Sequence, residues 1–499
     1  MAKNQAKKRK RTNGAAVPNA KVAKPAPVLA APPTPESETD ALLLPEEVDS
    51  AVFVLRTLAE NPAALAGKEM KDLKRAVYEL HRVMVDGATI GTSLTSRISA
   101  ALKDYRFTDA LILLYEMYTR RLPPKLGALQ RWVRECDATS GADGSPGDPE
   151  ALRCLDMILR IANHTPGVVP AGESAVAGDH VRKSKIWLAR PYLGAEGGEI
   201  AIWARMRAGT LVPPEALEKK THPGFRPVHF IRGADRRPPN LYDSTVYTSE
   251  PGTIRLTPPA ARRAPSRLDV PGVPGAFIIL DVFTPDECLQ IVQAASAIGF
   301  EKDQAAEGSA LLKTSILARN FVWLADKHFL DHFYAQILPF VHPTAPAGPG
   351  ALGKVRGINA RFRVYQYTEN QLYRPHIDGA WPAAGLDPTT GEYLHDSQPP
   401  DDPLWSRYTL LVYLNSDVPE DTGCTTFFMP SNEMGVMDAT SVRPIQGAVL
   451  CFPHGDTEGS LLHEGSAVGK DGGKIVIRTE LLYEAKGFGA FKPPVPVLE

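Results

Sequence analysis

Cysteine is scarce in this sequence, and the cysteines present lack the short spacings of a metal-binding motif. There are five, an odd number: Cys136, Cys154, Cys288, Cys424 and Cys451. This pattern does not suit the disulfide framework of a small secreted protein or a cysteine zinc site. We therefore expect reduced, mostly buried thiols in an intracellular protein.

Long apolar runs and an excess of either charge are also lacking. No apolar stretch reaches the roughly 20 residues of a membrane-spanning helix, and no secretory signal follows the Lys-rich first residues. The 56 Lys and Arg residues nearly balance the 57 Asp and Glu residues. This balance gives no global field to attract nucleic acid or an anionic membrane, so we expect no membrane partner.

The chain is too long for one hydrophobic core, because it has 499 residues. Shifts in composition predict four segments. Residues 1–45 form a disordered basic and Pro/Ala-rich tail, and 46–165 form a helical, repeat-like domain. Residues 166–265 form a linker or wrapping segment rich in Pro, Gly and Arg, and 266–490 form a strand-rich domain.

The tail carries a dense basic cluster, Lys7–Arg11. On a disordered end it is typical of a nuclear localisation signal, and a weak nucleic-acid contact or a merely solvated terminus are the alternatives. We predict a nuclear or cytoplasmic location.

The helical segment contains a loose internal repeat, with similar stretches beginning at Ala76 and Ala110. These stretches resemble pentatricopeptide-type helical hairpins, although so few units lie at the lower limit for a stable solenoid. One interpretation is a surface for RNA or peptide. The favoured alternative is a small helical bundle that packs on the C-terminal domain.

The main chemical signal is a strand-like segment that ends in a histidine and an aspartate. In RFRVYQYTENQLYRPHID (361–378), His376 and Asp378 are two residues apart. On an extended backbone such residues project to the same face, so both can bind one metal ion. Alone, the pair is better explained as two polar surface residues at a strand end, because this spacing is common by chance.

Further residues downstream complete the pattern. His463 lies in SLLHEGS, and Lys474 lies at the start of the strand-like KIVIRTELLYE. Two imidazoles and a carboxylate form the facial triad that leaves open positions on a ferrous ion. Zinc can bind the same side chains, so an inert structural site is the alternative. A basic residue on a later strand suits the distal carboxylate of a dicarboxylic co-substrate.

From these residues the C-terminal part resembles the iron(II)- and 2-oxoglutarate-dependent dioxygenases, and within them the prolyl 4-hydroxylase-like group. Ordered blocks of sequence carry the resemblance: FIILDVFTPDECLQIVQAASAIGF (277–300), YQYTENQLYRPHIDG (365–379), RYTLLVYLN (407–415), GCTTFF (423–428), VRPIQGAVLCFPH (442–454) and LLHEGSAVGKDGGKIVIRTELLY (461–483). Two departures occur. Cys424 stands where the group often has an acidic residue, and Lys474 is one step farther from the distal histidine than is commonest.

The predicted fold class is α+β. A C-terminal double-stranded β-helix, or jelly roll, with supporting helices follows a small all-helical domain and a disordered N-terminal tail. In such a barrel we expect the HxD segment at the mouth of one sheet and the distal histidine on the facing sheet. The resemblance implies that residues 266–490 form a dioxygenase domain.

The resemblance also implies the roles of individual residues. His376, Asp378 and His463 would hold Fe(II). Lys474 would bind the distal carboxylate of 2-oxoglutarate, with Arg478, four residues along the same strand, as the alternative.

Two tyrosines complete the predicted co-substrate site. Tyr413 matches a tyrosine that binds the same carboxylate in related enzymes, with a plain core tyrosine as the alternative. Tyr367 would line the pocket or simply pack beside it.

The function implied is hydroxylation of a C–H bond, most plausibly of a prolyl residue in a protein substrate. Succinate and carbon dioxide would be released, and ascorbate would be the reductant. The alternative from another class is a helical-repeat protein that binds RNA or peptide and uses the barrel as a non-catalytic platform.

Overall fold

The computed structural model describes residues 45–67, 70–86, 93–137, 147–162, 180–236, 240–303, 318–345, 353–455, 457 and 459–485. The chain divides into two compact units, Met1–Leu80 and His81–Glu499. Residues 1–44 of the predicted tail, with the Lys7–Arg11 cluster, lie outside the described residues. The four predicted domain boundaries stay a prediction.

The described part of the first unit is helical. It contains α1 (Pro45–Glu60), a 3-10 turn (Pro62–Ala66) and the first part of α2 (Lys71–Asp86). Across the described residues, every helix is too short or too polar to span a lipid bilayer.

In the second unit the described helices fall into an N-terminal group and scattered later members. They are α3 (Leu94–Lys103), α4 (Phe107–Thr119), α5 (Leu126–Asp137), α6 (Pro149–Ile161), α7 (Ile202–Arg207), α8 (Pro214–Lys219), α9 (Pro285–Ile298) and α10 (Lys327–Ile337).

The strands are concentrated after residue 180. They are β1 (Val181–Lys183), β2 (Phe225–Ile231), β3 (Ser244–Ser249), β4 (Ser266–Asp269), β5 (Phe277–Leu280), β6 (Arg319–Leu324), β7 (Val355–Ile358), β8 (Arg361–Thr368), β9 (Tyr373–His376), β10 (Gly385–Leu386), β11 (Tyr393–Leu394), β12 (Leu404–Tyr413), β13 (Thr425–Pro430), β14 (Met437–Val442), β15 (Val449–Pro453), β16 (Leu462–Gly465) and β17 (Gly473–Glu484).

Most strands belong to two sheets. The major sheet has the order β2-β3-β6-β8-β17-β12-β15-β5-β4, with β7 also paired to β17, and the minor sheet has the order β1-β14-β13-β16-β9. One hydrophobic cluster contains Tyr413 and Val476 of the major sheet together with Phe427 and Val442 of the minor sheet. The two sheets therefore face each other around a shared core, and the predicted α+β jelly roll is confirmed.

The alternation of β17 explains how the major sheet buries both faces. Val476 points into the cluster between the sheets, whereas Ile475 and Ile477 belong to a second cluster. That second cluster also contains Val292 of α9 and Phe333 of α10, which pack on the outer face of the sheet. Because successive strand residues point to opposite faces, one strand can serve both layers.

Helix α9 begins where its sequence predicts. Thr284 accepts a hydrogen bond from the backbone N–H of Glu287, and the Glu287 carboxylate accepts one from the backbone N–H of Thr284. This capping box satisfies two amide groups that the first helical turn leaves unpaired, and Pro285 at the first position needs no partner. The five cysteines are buried thiols that form no disulfide with one another, as predicted.

The Pro-, Gly- and Arg-rich segment supplies strands to both sheets. Its strand β1 pairs in parallel with β14 at one edge of the minor sheet. Strands β2 and β3 pair with each other, and β3 pairs with β6 to extend the major sheet. The described part of this segment therefore wraps the barrel.

Helices α3 to α6 pack against the outer face of the minor sheet. Their cluster contains Trp132 and Ile158 of the helices together with Ile377, Met437 and Leu462 of the barrel. The favoured expectation of a helical bundle on the C-terminal domain matches this arrangement of α3–α6.

The expected placement of the two histidines on facing sheets is wrong. Strands β9 and β16 are antiparallel neighbours in the minor sheet, and His376 lies directly opposite His463. Directly opposed residues of neighbouring strands project to the same face, so one sheet carries both imidazoles. The facing major sheet carries Lys474 on β17.

Leu462→Ala is expected to lower the free energy of unfolding by roughly 2–5 kcal/mol, because its fully buried side chain joins the minor sheet to the helices. Urea titration followed by circular dichroism measures the change. The matched control is Leu268→Ala on β4, whose side chain is 40% exposed, with an expected change within about 0.5 kcal/mol. Equal decreases in the free energy of unfolding for the two variants would contradict the packing of Leu462 between the minor sheet and the helices.

Candidate metal centre

His376, Asp378 and His463 meet at one end of the minor sheet. One ligand atom from each lies within 4.8 Å of the others, with His376 intermediate in burial and the other two buried. The Nε2 atoms of His376 and His463 lie 3.5 Å and 3.8 Å from the Asp378 carboxylate. Two nitrogens and one oxygen at these separations can converge on a single metal ion.

The backbone fixes which nitrogen of each histidine faces the centre. The Nδ1 atom of His376 lies 2.7 Å from the Arg374 carbonyl oxygen, and that of His463 lies 3.1 Å from the Leu461 carbonyl oxygen. A carbonyl only accepts, so each Nδ1 carries the proton and each Nε2 presents a lone pair. Burial, together with His376, lowers the pKa of His463 to about 3, which keeps this imidazole neutral and able to bind metal.

The Asp378 carboxylate is buried but fully ionised. Arg478 donates from Nε and Nη2 over 3.2 Å and 3.1 Å, and the Thr409 hydroxyl donates over 2.6 Å. Burial opposes the charge, but Arg478 holds the pKa of Asp378 well below its usual range. The bidentate arginine contact also fixes the plane of the carboxylate.

A chain of hydrogen bonds leads from Asp378 to the segment after it. Thr409 lies 2.7 Å from His454 Nδ1, Ser406 lies 2.8 Å from His454 Nε2, and the Trp381 backbone N–H donates to Ser406 over 2.8 Å. Because a carboxylate only accepts, the Thr409 hydroxyl must donate to Asp378 and therefore accepts from Nδ1–H of His454. Nε2 of His454 then accepts from the Ser406 hydroxyl, whose oxygen accepts from the Trp381 amide. Burial lowers the pKa of His454 to about 3, so its ring is neutral.

The sequence does not predict that Thr409 and His454 belong to the site, because neither lies at a characteristic spacing from the HxD pair. His454 follows a strand on the neighbouring sheet, and only the three-dimensional fold brings it behind the carboxylate. A buried polar residue at the end of the apolar strand VLCFP was the available signal.

The triad opens into a cavity of about 220 Å³ between the sheets. The residues that line it are Arg134, Arg363, Tyr365, Tyr367, Tyr373, Arg374, Pro375, His376, Ile377, Asp378, Gly379, Trp381, Leu411, Thr425, His463, Glu464, Gly465, Lys474, Val476 and Arg478. The alternation of β17 brings Lys474, Val476 and Arg478 to the same wall, as their spacing predicts. The space suits a small ligand held at one end by the triad.

Lys474 is a buried cation without a carboxylate partner. Its side chain is 2% exposed, its Nζ lies 3.4 Å from the Cys424 carbonyl oxygen, and it lies 4.7 Å from the centre of the Tyr367 ring. Within the described ranges, no acidic group lies at ion-pair distance from it. Burial lowers the pKa of Lys474 to about 8, against the opposing effects of Cys424 and Glu464. Such a site favours an anionic ligand.

The other predicted site residues differ in their contacts. Tyr367 lines the cavity, whereas Tyr413 lies behind it and donates a 2.8 Å hydrogen bond to Thr425. Arg478 is already paired, with Asp378 and with Glu480 at 3.1 Å. Thr425 itself lines the cavity.

Scans against protein-family models and the curated proteins return no match. Among solved structures, the chain is similar to the viral collagen prolyl hydroxylase vCPH from Paramecium Bursaria Chlorella virus-1, in a 2OG complex. The identity is 19% over 45% of this chain and 97% of that chain, with a TM-score of 0.24.

Two further solved structures show similar likenesses. A Pseudomonas putida prolyl-4-hydroxylase is 17% identical over 28% of this chain and 56% of that chain, with a TM-score of 0.18. The non-heme alpha ketoglutarate dependent carbocyclase SnoK from nogalamycin biosynthesis is 12% identical over 42% of this chain and 79% of that chain, with a TM-score of 0.25.

Thr409→Val is expected to weaken metal binding about 10- to 100-fold, because it removes the neutral donor that orients Asp378 and leaves the His454 N–H unpaired. Calorimetric titration of the protein with Mn(II) measures the affinity. The control is Thr440→Val, a buried threonine on β14, which β13 separates from β16. Unchanged Mn(II) affinity in Thr409→Val would contradict the orienting role.

Proposed function

We propose that this protein is an iron(II)- and 2-oxoglutarate-dependent dioxygenase that hydroxylates a C–H bond. The observation that carries the proposal is the pairing, within one cavity, of the His376–Asp378–His463 triad with the unpaired cation of Lys474. A metal with open positions and a fixed positive charge at some distance from it suit a chelating dicarboxylic acid.

The donor set favours a divalent transition metal. Two imidazoles and one carboxylate beside the cavity would hold Fe(II), which would supply the chemistry of dioxygen activation. Zinc accepts the same ligands, but a closed structural zinc site takes four protein ligands, and the described residues bring together three.

Lys474 would hold the distal carboxylate of 2-oxoglutarate, as its lack of an acidic partner suggests. Arg478 suits that role less well because Asp378 and Glu480 already neutralise it. Tyr367 would contact the ligand from the cavity wall, and Tyr413 would act through Thr425. When bound, iron and 2-oxoglutarate supply the oxidation by dioxygen, with succinate and carbon dioxide as by-products and ascorbate as the proposed reductant.

The proposed substrate is a prolyl residue of a protein, in line with the sequence resemblance. The proposed location is the nucleus or cytoplasm, on the basis of the Lys7–Arg11 cluster. An RNA or peptide contact through the helical region stays a prediction.

Replacement of a triad residue separates the enzyme from a non-catalytic platform. The purified protein with Fe(II), 2-oxoglutarate and ascorbate is expected to form succinate slowly even without substrate. His376→Ala is expected to abolish succinate formation while the circular dichroism spectrum stays unchanged, because an open metal site contributes little to folding. The exposed His328 on α10 supplies the control His328→Ala. Iron-dependent succinate formation in His376→Ala would refute the assignment.

The binding of 2-oxoglutarate is expected to depend on pH through Lys474. Burial lowers the pKa of its ammonium to about 8, and a bound dianion would raise that pKa. Affinity is therefore full below pH 8 and falls as pH rises above it, by about tenfold per unit. Titration with 2-oxoglutarate in the presence of Zn(II) measures this profile.

Variants of two lysines assign the effect. Lys474→Ala is expected to weaken 2-oxoglutarate binding at neutral pH by on the order of 30-fold and to remove the pH dependence, since a buried charge loses its partner. The exposed Lys470 supplies the control Lys470→Ala. If Arg478→Ala lost much of the affinity for 2-oxoglutarate and Lys474→Ala lost almost none, Arg478 rather than Lys474 would bind the distal carboxylate.

A further inference from the structure

Helix α5 lies directly against the candidate metal centre. The side chain of Gln130 donates a 3.1 Å hydrogen bond to the carbonyl oxygen of Ile377, the residue between two of the predicted ligands. The approach is close: a Cβ atom added at Gly379 would lie 3.4 Å from the Gln130 amide nitrogen. The helical bundle is therefore part of the wall of this site.

Neighbouring contacts hold the bundle rigidly in this position. On α6, Arg160 donates to the carbonyl oxygens of Ser431 and Glu433 over 2.8 Å each. The Asp156 carboxylate accepts a 2.8 Å hydrogen bond from the backbone of Gly435. These bonds join α6 to the loop after β13, so the position of α5 over the cavity is set by the fold.

From α5, the side chain of Arg134 reaches the cavity wall. Its Nε is buried, and no atom of the described residues accepts a hydrogen bond from it. Two groups of the described residues favour its charge: the Tyr373 phenol on the cavity wall, and Glu135, the next residue of the same helix, whose side chain points about 100° away around the helix axis. Burial lowers the pKa of the Arg134 guanidinium, but an arginine remains charged in proteins.

The other cations of the cavity have acidic neighbours or a proposed ligand. Arg363 pairs with Asp303 at 2.8 Å, and Arg478 pairs with Asp378. Arg374 interacts with Glu464 on the same wall. Lys474 is assigned to the co-substrate. Among the described residues, no carboxylate forms an ion pair with Arg134, and its buried Nε has no hydrogen-bond acceptor.

We infer that Arg134 binds an acidic group of the substrate. The inference rests on the proposed function and specifies its substrate class: a protein segment in which an aspartate or glutamate lies beside the prolyl residue. The anion would pair with Arg134 at the cavity wall while the proline enters towards the triad. Arg134 is thus a specificity residue that the helical bundle contributes to the barrel.

The test uses pools of fluorescein-labelled peptides with a central proline flanked by aspartate, asparagine or lysine. Binding to the full-length protein is followed by fluorescence anisotropy with Zn(II) and 2-oxoglutarate present, so that Lys474 is occupied and no turnover occurs. The wild-type protein is expected to bind the aspartate pool about tenfold more tightly than the asparagine pool, the factor that about 1.4 kcal/mol provides. Added salt is expected to weaken this preference.

Charge variants identify the responsible side chain. Arg134→Gln is expected to remove the preference for aspartate, and Arg134→Glu is expected to make the lysine pool the tightest binder, a gain that misfolding would not produce. Arg131 is exposed on the same helix and supplies the matched controls Arg131→Gln and Arg131→Glu, in which the preference is expected to persist.

Two results would overturn the inference: no preference for aspartate in the wild-type protein, or the same preference in Arg134→Gln. The proposed function is assessed separately, by succinate formation without peptide. If succinate forms but the charge preference is absent, only the acidic substrate class fails. If the wild-type protein prefers the aspartate pool but forms no succinate, the proposed dioxygenase reaction is contradicted instead.

Discussion

The buried carboxylate of Asp378 is the group on which this site depends. A bare charge between two sheets would be strongly unfavourable, and two donors compensate it: the guanidinium of Arg478 and the hydroxyl of Thr409. Those contacts hold it ionised and fix its orientation. The barrel thus provides an anionic ligand in a place where water would otherwise have to solvate it.

Both sheets contribute side chains to the site. The minor sheet supplies the two imidazoles from the adjacent strands β9 and β16. The major sheet supplies Thr409 from β12 and Arg478 from β17, which are themselves paired. The outer layers support the sheets: α9 and α10 cover the major sheet, and α3 to α6 cover the minor sheet. Packing far from the cavity therefore decides where its charges lie.

The sequence predicts the triad and the jelly roll because local patterns encode both. The i, i+2 spacing of His376 and Asp378 and the alternation of β17 follow from strand geometry alone. Which sheet carries His463 depends on the pairing of β16 with β9, a contact between distant segments that no short pattern reports. The same holds for His454, and for Arg134, which reaches the cavity only because α5 docks on the barrel.

The one-way order of the hydrogen bonds from the Trp381 amide to Asp378 links the backbone at Trp381 to a candidate metal ligand. Each donor polarises the next, so the peptide group of Trp381 and the electron density on the carboxylate form one cooperative unit. Thermodynamic reciprocity then applies. If the ordered hydrogen-bond chain strengthens the binding of a cation by a given free energy, the bound cation must stabilise the ordered backbone at Trp381 by the same free energy. Metal affinity and the order of this loop would therefore report the same coupling free energy.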